Sequence, residues 1–120
     1  MADYNGWTNY ETWNVKLWID NEQGSQEFWR EQAQAAYDDA RDTPSANAKL
    51  TGHEPFTHEE RAALNLSRQL KDQFEEDAPD LGASCWADLL NAALSEVNWQ
   101  EIAVSMIGDV DKTEPEPIEA

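Results

Sequence analysis

Apolar residues recur at helical spacing along most of this chain of 120 residues, and this pattern constrains its fold more than any other feature. For example, Trp13 and Leu17 follow Tyr10 by three and seven residues, so one side of a helix would carry all three. No segment alternates apolar and polar residues for long enough to predict a β-strand. The sequence therefore predicts an all-α protein, a small bundle of about four to five helices.

Capping and turn residues set the boundaries of the first two predicted helices. Thr8 begins a capping-box pattern, which predicts a helix over residues 9–21 that ends before Gly24. Ser25 then caps a second, alanine-rich helix over residues 26–41, and the two helices form a hairpin. The residues expected to face the core are Tyr10, Trp13, Leu17 and Trp18 on the first helix, and Trp29, Ala33, Ala36 and Ala40 on the second.

The same signals predict the remaining helices. A third starts after the capping residue Thr57 and ends in the acidic run at residues 75–77. A fourth begins at Leu81 or Ser84, and Asn98 caps a short last helix. The residues expected to face the core are Ala63, Leu66, Leu70 and Phe74 on the third helix, and Trp86, Leu89, Leu90, Ala93 and Val97 on the fourth.

The chain is long enough for one hydrophobic core but too short for two. We expect a single helical domain over residues 1–108. Residues 109–120 are charged and rich in proline, which predicts a disordered acidic tail. Residues 43–55 collect proline, glycine and polar residues without apolar periodicity, which predicts a long connection whose role the sequence leaves open.

Acidic residues dominate the charge, with 25 acids against 8 bases and a net charge of −17. Direct binding of nucleic acid or of anionic lipid requires lysines and arginines that this chain lacks, so we expect neither. A basic protein surface is the partner that such a charge favours. The single Cys85, the absence of a signal peptide and the absence of a long apolar run predict a cytoplasmic protein.

Catalytic and metal-binding patterns are missing from the sequence. His53, His58 and Cys85 are the only histidine and cysteine residues that could ligate a metal, and their spacing matches no metal site. No nucleophile elbow or phosphate-binding loop occurs either. We therefore expect no enzyme, no catalytic residue, no metal and no cofactor, although a cleft with converging polar groups would favour a small ligand-binding enzyme.

Four acids form a stripe on the second predicted helix. On a helical wheel Glu27, Glu31, Asp38 and Asp42 fall within an arc of roughly 60°, nearly opposite the core-facing side. Charged residues are ordinary on a solvated helix face, but matching bases do not accompany these acids. The residues expected to bind a partner are these four together with Glu75, Glu76 and Asp77.

Aromatic residues near the N-terminus offer an alternative binding surface. Most aromatics at helical spacing build a core, but Trp7 lies in an irregular segment before the first helix. Trp7 is therefore the aromatic expected to be exposed. The alternative function is an adaptor or structural protein that docks on its partner through Trp7 and neighbouring aromatics.

The segment Asn-Gly-Trp-Thr-Asn-Tyr-Glu-Thr-Trp-Asn-Val at residues 5–15 resembles the opening of a family of small, acidic, uncharacterised proteins of bacteriophages and plasmids. Residues 98–103, Asn-Trp-Gln-Glu-Ile-Ala, form a weaker second match. The resemblance implies the cytoplasm of a bacterial host but no activity. Combined with the charge, it leads to the hypothesis of a DNA-mimic inhibitor, which occupies the DNA-binding surface of a basic host restriction, CRISPR or other DNA-processing protein.

Overall fold

The fold is all-α, as the sequence predicts. A computed structural model describes residues 4–42 and 58–112, and within these residues it contains helices but no β-strand. The side chains of residues 41 and 42 are not part of this description. The five helices of the described residues are α1 (Tyr10–Asn21), α2 (Gln23–Asp42), α3 (His58–Asp77), α4 (Cys85–Glu96) and α5 (Trp99–Gly108). The expected cap Thr57, the connection at residues 43–55 and residues 113–120 lie outside the described residues.

The core is built by α2, α3 and α5, which pack against one another. Rings of Trp29 and Phe74 stack at 6.3 Å, and Phe74 also contacts the ring of Trp99 at 5.5 Å. The contact of Tyr37 with His58, at the opposite ends of their helices, shows that α2 and α3 run antiparallel. The predicted core residues that are buried here are Trp29, Ala33, Ala40, Ala63, Leu66 and Leu70.

The prediction for the inward face of α1 is wrong. Thr12, Val15 and Ile19 are buried, whereas Tyr10 and Trp18 are exposed. The three buried residues have the same spacing as the aromatic row on the opposite side of the helix, so periodicity alone could not choose between the two faces. Burial of Thr12 is tolerated because its hydroxyl group is fully hydrogen-bonded.

The junction between α1 and α2 also differs from the prediction. One extended residue, Glu22, separates the helices, and Gly24 lies inside α2 instead of ending α1. The hydroxyl group of Ser25 does not cap α2, because it donates back to the carbonyl oxygens of Ile19 and Glu22 at 2.9 and 3.1 Å. Ser25 thus ties the beginning of α2 to the end of α1.

Helix α4 lies at the periphery, and the prediction that Trp86 and Leu89 face the core is wrong. Ser84 caps α4 by accepting the backbone N–H of Ala87 at 3.1 Å, yet none of the twelve helical residues is buried. Trp86 is 70% exposed and Leu89 is 57% exposed. Val97, just after the helix, is buried as predicted. The chain therefore returns to the core only where α4 ends.

Candidate protein-binding surfaces

The acidic stripe of α2 is only partly open to solvent. Glu27 and Glu31 are exposed on the side opposite the buried Trp29. Asp38 is half-buried and accepts a hydrogen bond from the Gln34 side-chain amide at 3.1 Å. Asp42 is the last residue of α2, and its side chain lies outside the described part of the chain. The two N-terminal members of the stripe are therefore the ones displayed to a partner.

Residues that follow α5 contact α2 one turn before Asp38. The Gln34 side-chain amide donates to the carbonyl oxygen of Asp111 at 3.0 Å, and its oxygen accepts the N–H of Asp111 at 2.9 Å. Val110 packs against the core, and Lys112 pairs with Glu59 at 3.3 Å. The described beginning of the predicted tail thus runs across α2 and reaches α3.

The second group of predicted acids lies at the end of α3. Glu75, Glu76 and Asp77 are all exposed, and Asp77 accepts hydrogen bonds from the Gln73 amide at 3.1 Å. The preceding residue, Phe74, stacks on Trp29 of α2. The antiparallel arrangement of α2 and α3 therefore brings this group to the same end of the helix pair as the exposed acids of α2.

We call this region the acidic end, and it consists of Glu27, Glu31, Glu75, Glu76 and Asp77. Within the described residues, Glu31, Glu75 and Glu76 form no ion pair, and all three residues are exposed. Two bases are close in sequence, Arg30 on α2 and Lys71 on α3. The acidic end has five acids against these two bases, so its net charge is negative.

An exposed aromatic surface covers the outward side of α1. Asn5 and Gly6, both with positive φ, form a tight turn in which Tyr4 and Trp7 exchange backbone hydrogen bonds of 2.8 and 2.7 Å. This turn brings the ring of Tyr4 within 5.3 Å of Tyr10 and 5.0 Å of Trp13. The aromatic surface consists of Tyr4, Tyr10, Trp13 and Trp18.

Trp7 is not the most exposed aromatic residue, contrary to the prediction. It is half-buried and packs against the core, whereas Tyr10 is 49% exposed and Trp18 is 60% exposed. The prediction overlooked Tyr10 and Trp18 because they were assigned to the core. The buried row of Thr12, Val15 and Ile19 was the signal for the true orientation, but a threonine is not an obvious core residue.

The two segments that carry the family resemblance are bonded to each other. Asn9 caps α1 by accepting the N–H of Thr12 at 2.9 Å, and its amide donates to the carbonyl oxygen of Glu96 at 2.7 Å. Asn98 caps α5, as predicted, by accepting the N–H of Glu101 at 3.0 Å. The cap of α1 is Asn9 and not the predicted Thr8. The backbone N–H of Thr8 donates to the Glu101 carboxylate at 3.1 Å. These bonds hold the beginning of α1 against the beginning of α5.

One cleft on the described surface brings charged side chains together. A cleft of about 420 Å³ between α1, α2 and α5 is lined by four charged residues, Lys16, Asp20, Arg30 and Asp109. Asp20 accepts a hydrogen bond from Lys16 at 2.6 Å, which neutralises that base. No serine, cysteine or histidine is among the described residues that line the cleft. The charged side chains are therefore the groups that this cleft offers to a ligand.

Neither metal clusters nor membrane spans occur in the described part of the chain. No group of three or more histidine, cysteine or acidic residues among residues 4–42 and 58–112 is arranged to hold a metal ion. In the same residues, no helix is both long enough and apolar enough to cross a bilayer.

The fold and these surfaces define an acidic, all-α protein that displays charged and aromatic side chains on a small helical scaffold. The chain belongs to the family of unknown function DUF7249, whose sequence model matches residues 1–113. Comparison with curated proteins gives no match, and comparison with solved structures gives none either.

Proposed function

We propose that this protein acts without catalysis and binds the basic surface of a DNA-binding protein through the acidic end. In this function it is a DNA mimic, which inhibits its target by occupying the surface that DNA would otherwise bind. The observation that carries the proposal is that two acidic segments, one on α2 and one on α3, lie at the same end of the helix pair. They are more than forty residues apart in the sequence, yet the Trp29–Phe74 contact places them at this common end.

The geometry of the acids suits this role. Residues one turn apart on a helix, such as Glu27 and Glu31, are separated by about 6 Å, close to the spacing of successive phosphates along a DNA strand. The rigid helices hold the carboxylates in place before the partner arrives, so little entropy is lost on binding. The net charge of −17 adds a long-range attraction that accelerates association with a basic protein.

The biological setting belongs to the same proposal. We place the protein in the cytoplasm of a bacterium that carries a bacteriophage or a plasmid, as the motif at residues 5–15 suggests. Restriction, CRISPR and other DNA-processing proteins of the host have basic surfaces of the required kind. The partner is such a protein, and neither nucleic acid nor a membrane is bound directly.

Capture from a bacterial lysate with a salt gradient tests this function. The immobilised full chain should retain a basic DNA-binding protein, and both salt and added duplex DNA should release it. The double variant Glu27→Gln and Glu31→Gln should lower the affinity for the captured protein on the order of tenfold at low salt. The control variant Glu59→Gln and Asp88→Asn changes the net charge equally but lies outside the acidic end, so its affinity should stay close to that of the unchanged chain.

Two outcomes would contradict DNA mimicry. Binding that is unchanged between low and high salt would show that charge does not drive the association. Binding that survives the change of Glu27 and Glu31, or that duplex DNA fails to displace, would show that the acidic end is not the contact.

A second candidate function is favoured by the aromatic surface. Tyr10 and Trp18 are exposed to a degree that is unusual for large aromatic side chains, and aromatic residues are the most frequent anchors of protein interfaces. In this alternative the protein is an adaptor that docks on a basic partner through these rings, and its acidity serves solubility. The double variant Tyr10→Ala and Trp18→Ala should then abolish capture, while the change of Glu27 and Glu31 should not.

A further inference from the structure

One row of apolar residues on α4 is only partly covered by the rest of the described chain. Trp86, Leu89, Leu90 and Ala93 follow the spacing i, i+3, i+4 and i+7, so they lie along one side of the helix. Trp86 and Leu89 are 70% and 57% exposed, and the other two are half-buried. We call these four residues the α4 row.

Such a row needs a partner to be stable. A helix of about twelve residues is marginal in water by itself and depends on packing of its apolar side. In α4 this support is incomplete, because no residue of the helix is buried. Covering Trp86 alone would remove a large apolar area from water, since a tryptophan contributes on the order of 200 Å² when it is fully buried.

We propose that the α4 row is the contact between two copies of this chain, with the two α4 helices antiparallel about a two-fold axis. The row is symmetric in position about the point between residues 89 and 90, so Leu89 of one copy lies opposite Leu90 of the other. Trp86 then lies opposite Ala93. A large side chain meets a small one at both ends, and the surface is complementary to itself as a two-fold contact requires.

Charge favours the same occupant. A chain with a net charge of −17 repels its own copies, so two copies approach most easily where acids are few. Helix α4 has two acids, Asp88 and Glu96, compared with five on α2 and six on α3. Asp88 points about 150° away from the row on a helical wheel. Glu96 would lie opposite the beginning of the partner's α4, where the helix dipole favours a carboxylate.

The expected contact is small. One pair of twelve-residue helices falls below the roughly 1,200 Å² that stable interfaces bury, so the dimer is weak and depends on concentration. Salt strengthens it, because screening weakens the repulsion between the two negative chains. Binding of a basic partner at the acidic end has the opposite salt dependence. The dimer is therefore independent of the proposed function, and either can fail alone.

Sedimentation equilibrium of the full chain over a range of concentrations tests the dimer. The mass should rise from 13.6 kDa towards twice that value, and it should do so at lower concentration when salt is raised from roughly 0.05 to 0.5 M. Trp86→Ala and Leu89→Glu should each weaken association at least tenfold. The far-ultraviolet circular dichroism of both variants should be unchanged, because these side chains are largely exposed.

Trp18→Ala is the matched control, since Trp18 is also a largely exposed tryptophan but lies on α1. Its dimer should be as strong as that of the unchanged chain. A chain that stays monomeric at every concentration and salt would overturn the proposal. A dimer that Trp86→Ala and Leu89→Glu leave intact would overturn it too, because the contact would then lie elsewhere.

A cysteine experiment tests the antiparallel direction. Leu89→Cys, combined with Cys85→Ser, places a thiol beside the two-fold axis, so mild oxidation should give a disulfide-linked dimer. In the unchanged chain the two copies of Cys85 would be about 14 Å apart along the helices, beyond the reach of a disulfide. Ala93→Cys, also combined with Cys85→Ser, distinguishes the two directions, because two copies of residue 93 would be about 10 Å apart along antiparallel helices but opposite each other along parallel ones. Efficient cross-linking of Ala93→Cys would therefore show a parallel pairing and overturn the proposed geometry.

Discussion

Thr12 Oγ1 lies 2.8 Å from the backbone nitrogen of Asn98 and accepts its N–H, so a residue in the first turn of α1 holds the residue that caps α5. The same hydroxyl group donates to the side-chain oxygen of Asn9 at 2.7 Å. Glu101, which in an ordinary capping box would accept the N–H of Asn98, accepts the N–H of Thr8 instead. The beginnings of α1 and α5 therefore exchange the bonds that each would normally make by itself.

Thr12→Val should destabilise the protein by about 1–3 kcal/mol. Valine has nearly the same shape, but it leaves the N–H of Asn98 without an acceptor at a position where Thr12 is fully buried. Thr8→Val is the matched control, because Thr8 is exposed and contributes only its backbone N–H to this network. Urea unfolding measures both free energies. Equal effects of the two variants would contradict the role assigned to the Thr12 hydroxyl group.

Asn9→Asp should cost about 1–2 kcal/mol, whereas Asn98→Asp should change the free energy of unfolding by less than about 0.5 kcal/mol. Aspartate still caps a helix at either position. At residue 9 it removes the amide that donates to the carbonyl oxygen of Glu96, and it sets a negative oxygen against that carbonyl. The Asn98 amide nitrogen makes no bond among the described residues. Thermal unfolding of the two variants side by side measures the difference, and a larger loss at residue 98 would refute the assignment.

The sequence predicted the central helices better than the peripheral ones. On α2 and α3 the apolar residues, such as Trp29 and Leu66, lie on one side of the helix and polar residues lie on the other. The side that faces the core is therefore unambiguous. On α1 and α4 apolar residues occur on more than one side of the helix, and helical spacing placed the large aromatics Trp18 and Trp86 on the side expected to face the core. Which side is buried depends on tertiary hydrogen bonds, such as that between Thr12 and Asn98, and local spacing does not reveal them.

The sequence predicted which acids belong to the candidate site, but it did not predict that they lie at the same end of the helix pair. The acids Glu27, Glu31 and Glu75 stand out in the sequence because acids outnumber the nearby bases Arg30 and Lys71. Their common location depends on the antiparallel packing of α2 and α3, which no local pattern contains. The contact of Gln34 on α2 with the distant Asp111 was equally hidden, because no local pattern joins the two residues.

Ile19→Ala should destabilise the protein by about 2–5 kcal/mol, while Trp18→Ala should have little effect on stability. Ile19 is 2% exposed and belongs to the core, whereas Trp18 is 60% exposed. The neighbouring positions thus test which side of α1 faces inward. Chemical denaturation followed by circular dichroism measures both changes without relying on tryptophan fluorescence. If the tryptophan variant were the more damaged of the two, the aromatic side of α1 would face the core after all.

Gly24→Ala should stabilise the protein by about 0.4–1 kcal/mol, although the sequence suggested that this glycine ends a helix. Gly24 lies in the first turn of α2, and a methyl group added there meets no atom within 4 Å. Gly82→Ala is the same substitution with the opposite expected sign, because the φ of +63° at Gly82 costs an alanine about 1–2 kcal/mol. Melting temperatures of the two variants should therefore move in opposite directions. A lower melting temperature for Gly24→Ala would mean that the chain needs a glycine where α1 meets α2, and that the two helices join through a turn.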